Sequence, residues 1–328
     1  MSNIIYVENV DRINEFISLT NKEYFDVFLS KDNALFITNS VEVFGSLKLR
    51  AKCDDEISFR LDRALFGRLI VEGLVSVENG DDVKLIFQTP DGNELYSMQC
   101  AKQITYSGDY EEKIRILTSV TREMYVDIGE IHDLCRLCRM YKSIISVANG
   151  FACVHVNGNG RIYKSVKCTK SYAITADKLA LLLKLNDRAF YVNDYVGVYS
   201  NGLYVLVRTC HGFANDDFFI LNEQKAAFIC KINLVNVFVW LSRVQLRADV
   251  LSFDFVRREV SVKFDNYQLS VPLYTKDERK TEKYQLGTID IPVNVLKDYL
   301  AKLNSTEVIF KKKLNFNQIE ANGIYFFI

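Results

Sequence analysis

The sequence predicts an α+β fold made by repetition, with six copies of a β-α-β-β-β module taken in pairs to give three domains. Three observations carry this. The same order of patterns recurs roughly every 50–65 residues: a short alternating strand, a polar cap, one amphipathic helix, then alternating strands joined by Gly/Asn/Asp turns. The chain has 328 residues, too many for one ordinary core and suited to two or three domains of roughly 100–150 residues. Its hydrophobic share is 49%, aromatics reach 12%, and only Pro90, Pro272 and Pro292 interrupt it, so there is apolar surface to bury and no low-complexity or linker-like stretch.

The six strand-to-helix passages are IIYVENVDRINEF (4–16), ISFRLDRALFGRL (57–69), MYVDIGEIHDLCRL (124–137), YAITADKLALLL (172–183), FICKINLVNVFVWL (228–241) and IDIPVNVLKDYL (289–300). Asp62, Thr175 and Asn233 are suited to accept hydrogen bonds from first-turn amides. Pro292 suits a first helical position, where a missing N–H costs nothing. Ile131, Leu134, Cys135 and Cys138 fall at spacings of three and four, as do Leu296, Leu300 and Leu303, and each set makes one apolar stripe. The strand regions read as hairpins: LSKDNALFITNS, FQTPDGNELYSM, VHVNGNGRIYKS, and 250–273 with turns at Arg257-Arg258 and Asp265-Asn266. The charged stretch 106–123 and the polar link 222–227 read as seams, giving domains 1–118, 119–222 and 223–328. The stretch 275–287 reads as a solvated loop joining the last two modules.

Lys+Arg and Asp+Glu are equal at 41 each. That excludes a binder that grips nucleic acid by net charge alone, and leaves one whose basic residues gather on a single face. Eight cysteines are scattered along a chain whose opening, MSNIIYVENVDRINEF, is broken by Glu8, Asp11 and Arg12. They read as reduced core residues of a cytoplasmic protein. The most apolar segment, AAFICKINLVNVFVWLS, contains Lys231, Asn233 and Asn236, so no membrane span is expected. Cys135-x-x-Cys138 lies on a helix stripe without the turn a redox motif needs, and His132, His155 and His211 are not spaced as metal ligands. No phosphate-binding glycine loop, nucleophile elbow or zincin motif occurs. The expectation is a protein without catalysis, metal or cofactor.

At VHVNGNGRIYKSV (154–166) and TIDIPVNVLKDYLAKLNSTEVIF, and in the apolar ending GIYFFI, the chain resembles the bacterial-type β sliding clamp, the DNA polymerase processivity factor. The family carries a strand–turn–strand reading roughly V-A-T-D-G-H-R-L-A in its middle domain, and Val156 to Ile162 occupy that place. Its last domain carries a strand–helix segment similar to residues 288–310. Gly160 stands where the family has a polar side chain, and Tyr325-Phe326-Phe327-Ile328 replaces the family's closing Met-Pro-x-Arg-Leu. These departures fit a divergent member of the kind a phage or plasmid encodes.

The resemblance implies the DNA-clamp fold: three domains of two modules, helices lining an inner face and sheets outside, closed into a ring by a head-to-tail homodimer. It further implies a DNA sliding clamp that encircles duplex DNA without sequence preference and tethers the replicative polymerase. Topology rather than phosphate pairing would hold it there, which suits a balanced charge. The helices then offer Arg12, Arg63, Arg68, Arg136, Arg139, Lys142, Lys178, Lys184, Arg243, Arg247, Lys297 and Lys302 as DNA-facing residues. By position, Asn157, Asn159, Arg161 and Ile162 would form one wall of a partner-peptide pocket for polymerase and clamp loader, with Tyr325, Phe326, Phe327 and Ile328 as the other. Alternation sets Tyr325 and Phe327 on one side and Phe326 and Ile328 on the other, so one pair faces the pocket. Two other readings stay open: a monomeric clamp-fold subunit without a closed ring, and a β-rich interaction protein unrelated to DNA.

Overall fold

A computed structural model describes residues 3–19, 22–102, 108–121, 124–140, 142–155, 160–168, 170–186, 188–210, 221–243, 250–263, 268–280, 287–293, 296, 306–313, 316–321 and 323–327. The expected module is traced six times. The first runs Asn3–Val7, helix Val10–Ser18, Tyr24–Ser30, Asn33–Asn39 and Val43–Lys52. The second runs Ile57–Asp62, helix Arg63–Leu69, Gly73–Asn79, Val83–Gln88 and Glu94–Cys100. The third and fourth carry helices His132–Met140 and Ala176–Leu185, and the fifth carries Val235–Arg243. In the sixth, strand Thr288–Pro292 leads into helical Val293 and Leu296, and Glu307–Lys312, Asn317–Ala321 and Ile324–Phe327 follow.

Modules pair by reciprocal exchange of strands. The first strand of module one lies antiparallel to the second of module two (Ile5↔Val75), and the first of module two to the second of module one (Val27↔Phe59). Modules three and four repeat the exchange through Ala189↔Val126 and Ile145↔Ile174. Modules five and six do so through Ile232↔Val308 and Phe253↔Ile289. Each exchange extends a sheet whose inner face is apolar at every second residue, the pattern a half-buried antiparallel strand requires. Phe16, Phe25, Phe36, Phe66 and Phe87 form one chain of ring contacts at 5.4–6.4 Å in the first pair, each such contact contributing about 0.5–1.5 kcal/mol beyond area burial.

The fourth strands do something different. Val43–Lys52 of module one pairs with Leu203–Arg208 of module four (Val205↔Gly45). Arg161–Ser165 of module three pairs with Ile324–Phe327 of module six (Ile162↔Phe326). We call these ladders the first and second seams. They fuse neighbouring modules into continuous sheets, 12-stranded in one compact unit and 9-stranded in the other, where a 4-stranded sheet accompanies it. Unit one is residues 1–128 with 180–209, and unit two is 129–179 with 210–328. The expected middle domain, 119–222, is thus shared between the units, because each seam ties half of it to a neighbour.

Capping follows chemistry read from the sequence. Leu65 N donates to Asp62 Oδ1 at 2.8 Å, and Val235 N donates to Asn233 Oδ1 at 2.9 Å. Arg257 and Arg258 sit in the turn between Val250–Asp254 and Glu259–Lys263, with Arg258 at φ 55°. Two expectations are corrected. The stretch read as a loop at 275–287 contains a strand, Tyr274–Lys280, paired with Phe228–Asn233. Its alternating charges hid it, since neither face needs a core. Pro292 closes strand Thr288–Pro292 opposite Val250 instead of opening the helix. The turn at Asp265-Asn266 and the stripe positions Leu300 and Leu303 lie outside the described residues. Among those described, no helix is long and apolar enough to cross a membrane.

Candidate functional site

The expected stripe on helix His132–Met140 is present: Ile131, Leu134, Cys135 and Cys138 are at most 6% exposed. Burial pushes the Cys138 thiol up to about 12, the behaviour of a packed thiol and not of a redox one. Arg136 and Arg139, three apart, are therefore turned to the exposed side. Asp133 on the same helix is held by Lys164 Nζ at 2.9 Å from each oxygen, so its charge is already answered beneath the arginine pair. Arg139 lies 3.4 Å from the exposed Asp177, a surface pair of little energetic weight.

The other basic residues divide. Arg68, Lys142 and Lys184 are exposed, while Arg63 and Lys178 are half-buried. Arg12 is engaged, donating to Glu15 Oε2 at 2.6 Å and to Ser200 Oγ at 3.0 Å. The side chain of Arg243 and the whole of Arg247, Lys297 and Lys302 lie outside the described residues.

The second seam brings the remaining expected residues together as neighbours in one sheet. Opposite partners are Arg161↔Phe327, Ile162↔Phe326 and Tyr163↔Tyr325, so the two expected walls form a single surface. Ile162 and Phe326, at 0% and 1% exposed, occupy one face. Tyr163, Tyr325 and Phe327 occupy the other, with Cys153, and Phe151, Phe316 and Leu221 pack against them. Phe327 stands perpendicular to Tyr163 at 5.5 Å and lies 5.5 Å from Phe316. Asn157, Asn159 and Ile328 lie outside the described residues.

Sequence reasoning missed Lys313, which stands at the edge of this aromatic face. Read in Lys311-Lys312-Lys313 it is one more solvated charge, yet it is 2% exposed. Its Nζ donates to the carbonyl oxygens of Leu221 at 2.6 Å and Asn222 at 2.9 Å, and sits 5.4 Å above the Phe316 ring. Burial, then Lys311, pushes its pKa down to about 8, with Glu320 pulling the other way. Nothing local in the sequence signals this, because the carbonyls it meets come from residues about ninety positions earlier.

Two of the strands that end sheets are fourth strands. Glu94–Cys100 and Gln268–Pro272 are the fourth strands of modules two and five, and each ends its sheet. Leu95, Tyr96 and Leu269 on them are 41%, 46% and 37% exposed. Apolar side chains on an unpaired ladder are a standing invitation to another strand.

No family model matches the chain, and no curated protein sequence matches it. Solved structures do. It is similar to the DNA polymerase beta subunit of Streptococcus pyogenes, at TM-score 0.68 and 9% identity, covering 99% of this chain and 98% of that one. It is similar to the DNA polymerase III beta subunit of Thermotoga maritima, at TM-score 0.63 and 10% identity, covering 100% and 98%. It is also similar to the Helicobacter pylori beta clamp bound to a DNA ligase peptide, at TM-score 0.65 and 7% identity, covering 100% and 99%. Likeness over whole chains at such identities shows that the folds are the same.

Proposed function

We propose that this chain, which has the fold of the beta clamps, is a DNA sliding clamp: a processivity factor without catalysis of its own. One observation supports this above the rest. Fourth strands pair at a constant step, module one with four and module three with six. The same step takes module five to the second module of another copy. The two fourth strands left at sheet edges, Gln268–Pro272 and Glu94–Cys100, are the ones this rule requires. A head-to-tail homodimer then closes with no fourth strand left unpaired, the case of a heterologous contact whose rotation closes a ring. In this reading the chain has three domains, 1–118, 119–222 and 223–328, one for each reciprocal exchange.

In this reading Arg136 and Arg139, with Arg68, Lys142 and Lys184, face duplex DNA as diffuse charge. Their exposure and their freedom from buried pairing suit contacts that slide. Arg12 is the weakest of the proposed set, since Glu15 and Ser200 already hold it. The aromatic face of the second seam, with Arg161 at its rim, takes peptide motifs of polymerase and loader through an apolar anchor. The experiment is retention on DNA. Loaded protein should remain on nicked circular plasmid through gel filtration and leave once the plasmid is cut. Retention indifferent to linearisation would contradict a topological link.

A further inference from the structure

Leu221 and Lys313 bear on how the second-seam surface is controlled, on the reading that this surface takes partner peptides. Leu221 packs against the cluster of Cys153, Tyr163 and Phe327 without joining its buried core, and it stays half-exposed. Its carbonyl and that of Asn222 are held by one ammonium. An aliphatic side chain followed by main-chain oxygens that accept hydrogen bonds is what a short docking peptide presents. The chain's own segment therefore uses the groups a partner would use.

We infer that Leu221 is a built-in occupant of the partner site, latched by Lys313, and that a partner peptide binds by displacing it. The latch is poised for release. Charge-assisted bonds to two carbonyls hold it, against the cost of keeping an ammonium from water. Lys311 and Glu320, the charged groups beside it, are already paired with each other at 2.7 Å, so neither neutralises Lys313 outright. The first seam lacks this character: there the covering residue, Ile116, is 5% exposed and part of the core itself.

The test is fluorescence anisotropy with a labelled synthetic peptide copying the sequence of residues 218–224 of this chain, titrated with the full-length protein. Leu221→Ser should bind it about tenfold more tightly than wild type, because a site freed of its occupant no longer divides its population. Adding Phe327→Ala should abolish binding. Tyr325→Ala, half-buried on the same face, should weaken it severalfold and serves if the Phe327 variant fails to fold. Equal affinity of wild type and Leu221→Ser, with binding still lost on Phe327→Ala, overturns self-occupancy and leaves the peptide surface standing. No binding to Leu221→Ser, or binding indifferent to Phe327 and Tyr325, overturns both. Retention on circular DNA is read separately and bears on the clamp assignment alone.

Discussion

The two seams solve one problem with different materials. Each joins fourth strands edge to edge, and each leaves an apolar face that something must cover. At the first, helix Gly108–Thr118 lies over Ile37, Phe44, Phe190, Val192 and Leu206, inserts Ile116 among them, and buries Lys113, which donates to Asn39 Oδ1 at 2.6 Å. At the second, the covering residue is a half-exposed leucine held through its backbone by Lys313. A buried lysine stands at each seam, Lys113 on the first covering helix and Lys313 on the strand end beneath the second covering segment, but only the first cover is woven into a core. The first seam is built to stay shut, and the second is built to be uncovered.

Mutations can break that contrast. The largest effect is expected at Ile116→Ala, which should cost about 2–5 kcal/mol as a buried truncation, against less than about 1 kcal/mol for Leu221→Ala at a partly solvated site. Urea unfolding of both variants measures it, and equal losses would erase the distinction between the seams. Next comes Gly197→Ala. A methyl there would lie 2.4 Å from the Phe190 ring and 2.6 Å from Leu206, so first-seam overpacking should cost about 1–3 kcal/mol, read as a lowered urea midpoint.

A smaller, pH-dependent effect belongs to the second seam. Lys313 is depressed from 10.5 to about 8 in the folded protein, so the folded state binds this proton less readily than the unfolded chain. Its contribution to stability is full above about 10.5 and is lost as pH falls through about 8. Wild type should therefore gain stability relative to Lys313→Met as pH rises between those values. Parallel stability curves for the two proteins would show that burial imposes no cost on this ammonium. Smallest in stability is the double change Arg136→Glu with Arg139→Glu, expected within about 0.5 kcal/mol because both are exposed. It should nonetheless impair retention on circular plasmid, and unaltered retention would take the pair off the DNA-facing surface.

Much of the fold was legible because its signals are local. Asp62 and Asn233 cap where their chemistry suggests, and the Ile131–Cys138 stripe is buried as its spacing requires. What was hidden is non-local or masked by charge. The helix Gly108–Thr118 lies in a stretch read only as a charged seam, since Glu111, Glu112 and Lys113 obscure Ile114, Ile116 and Leu117. Strand Tyr274–Lys280 is held by its ladder, with Lys231–Asp277 at 2.7 Å an exposed pair beside it, and not by an apolar face. At the candidate site, the residues the resemblance implied include Arg161 and Phe327, which lie opposite one another in one sheet. The resemblance set the two segments as facing walls, but that their strands pair in one sheet, with Tyr163 and Lys313 completing the surface, could not be read, because strand pairing between distant modules leaves no trace in either segment.

The constant step of fourth-strand pairing is tested most directly by the native mass of the full-length protein, measured at micromolar concentration with and without charged replacements at Tyr96 and Leu269. The account predicts a particle of twice the 37.8 kDa chain that falls to a single chain when Tyr96→Asp and Leu269→Asp are combined. A wild-type monomer, or a dimer untouched by both changes, would contradict closure through these edges.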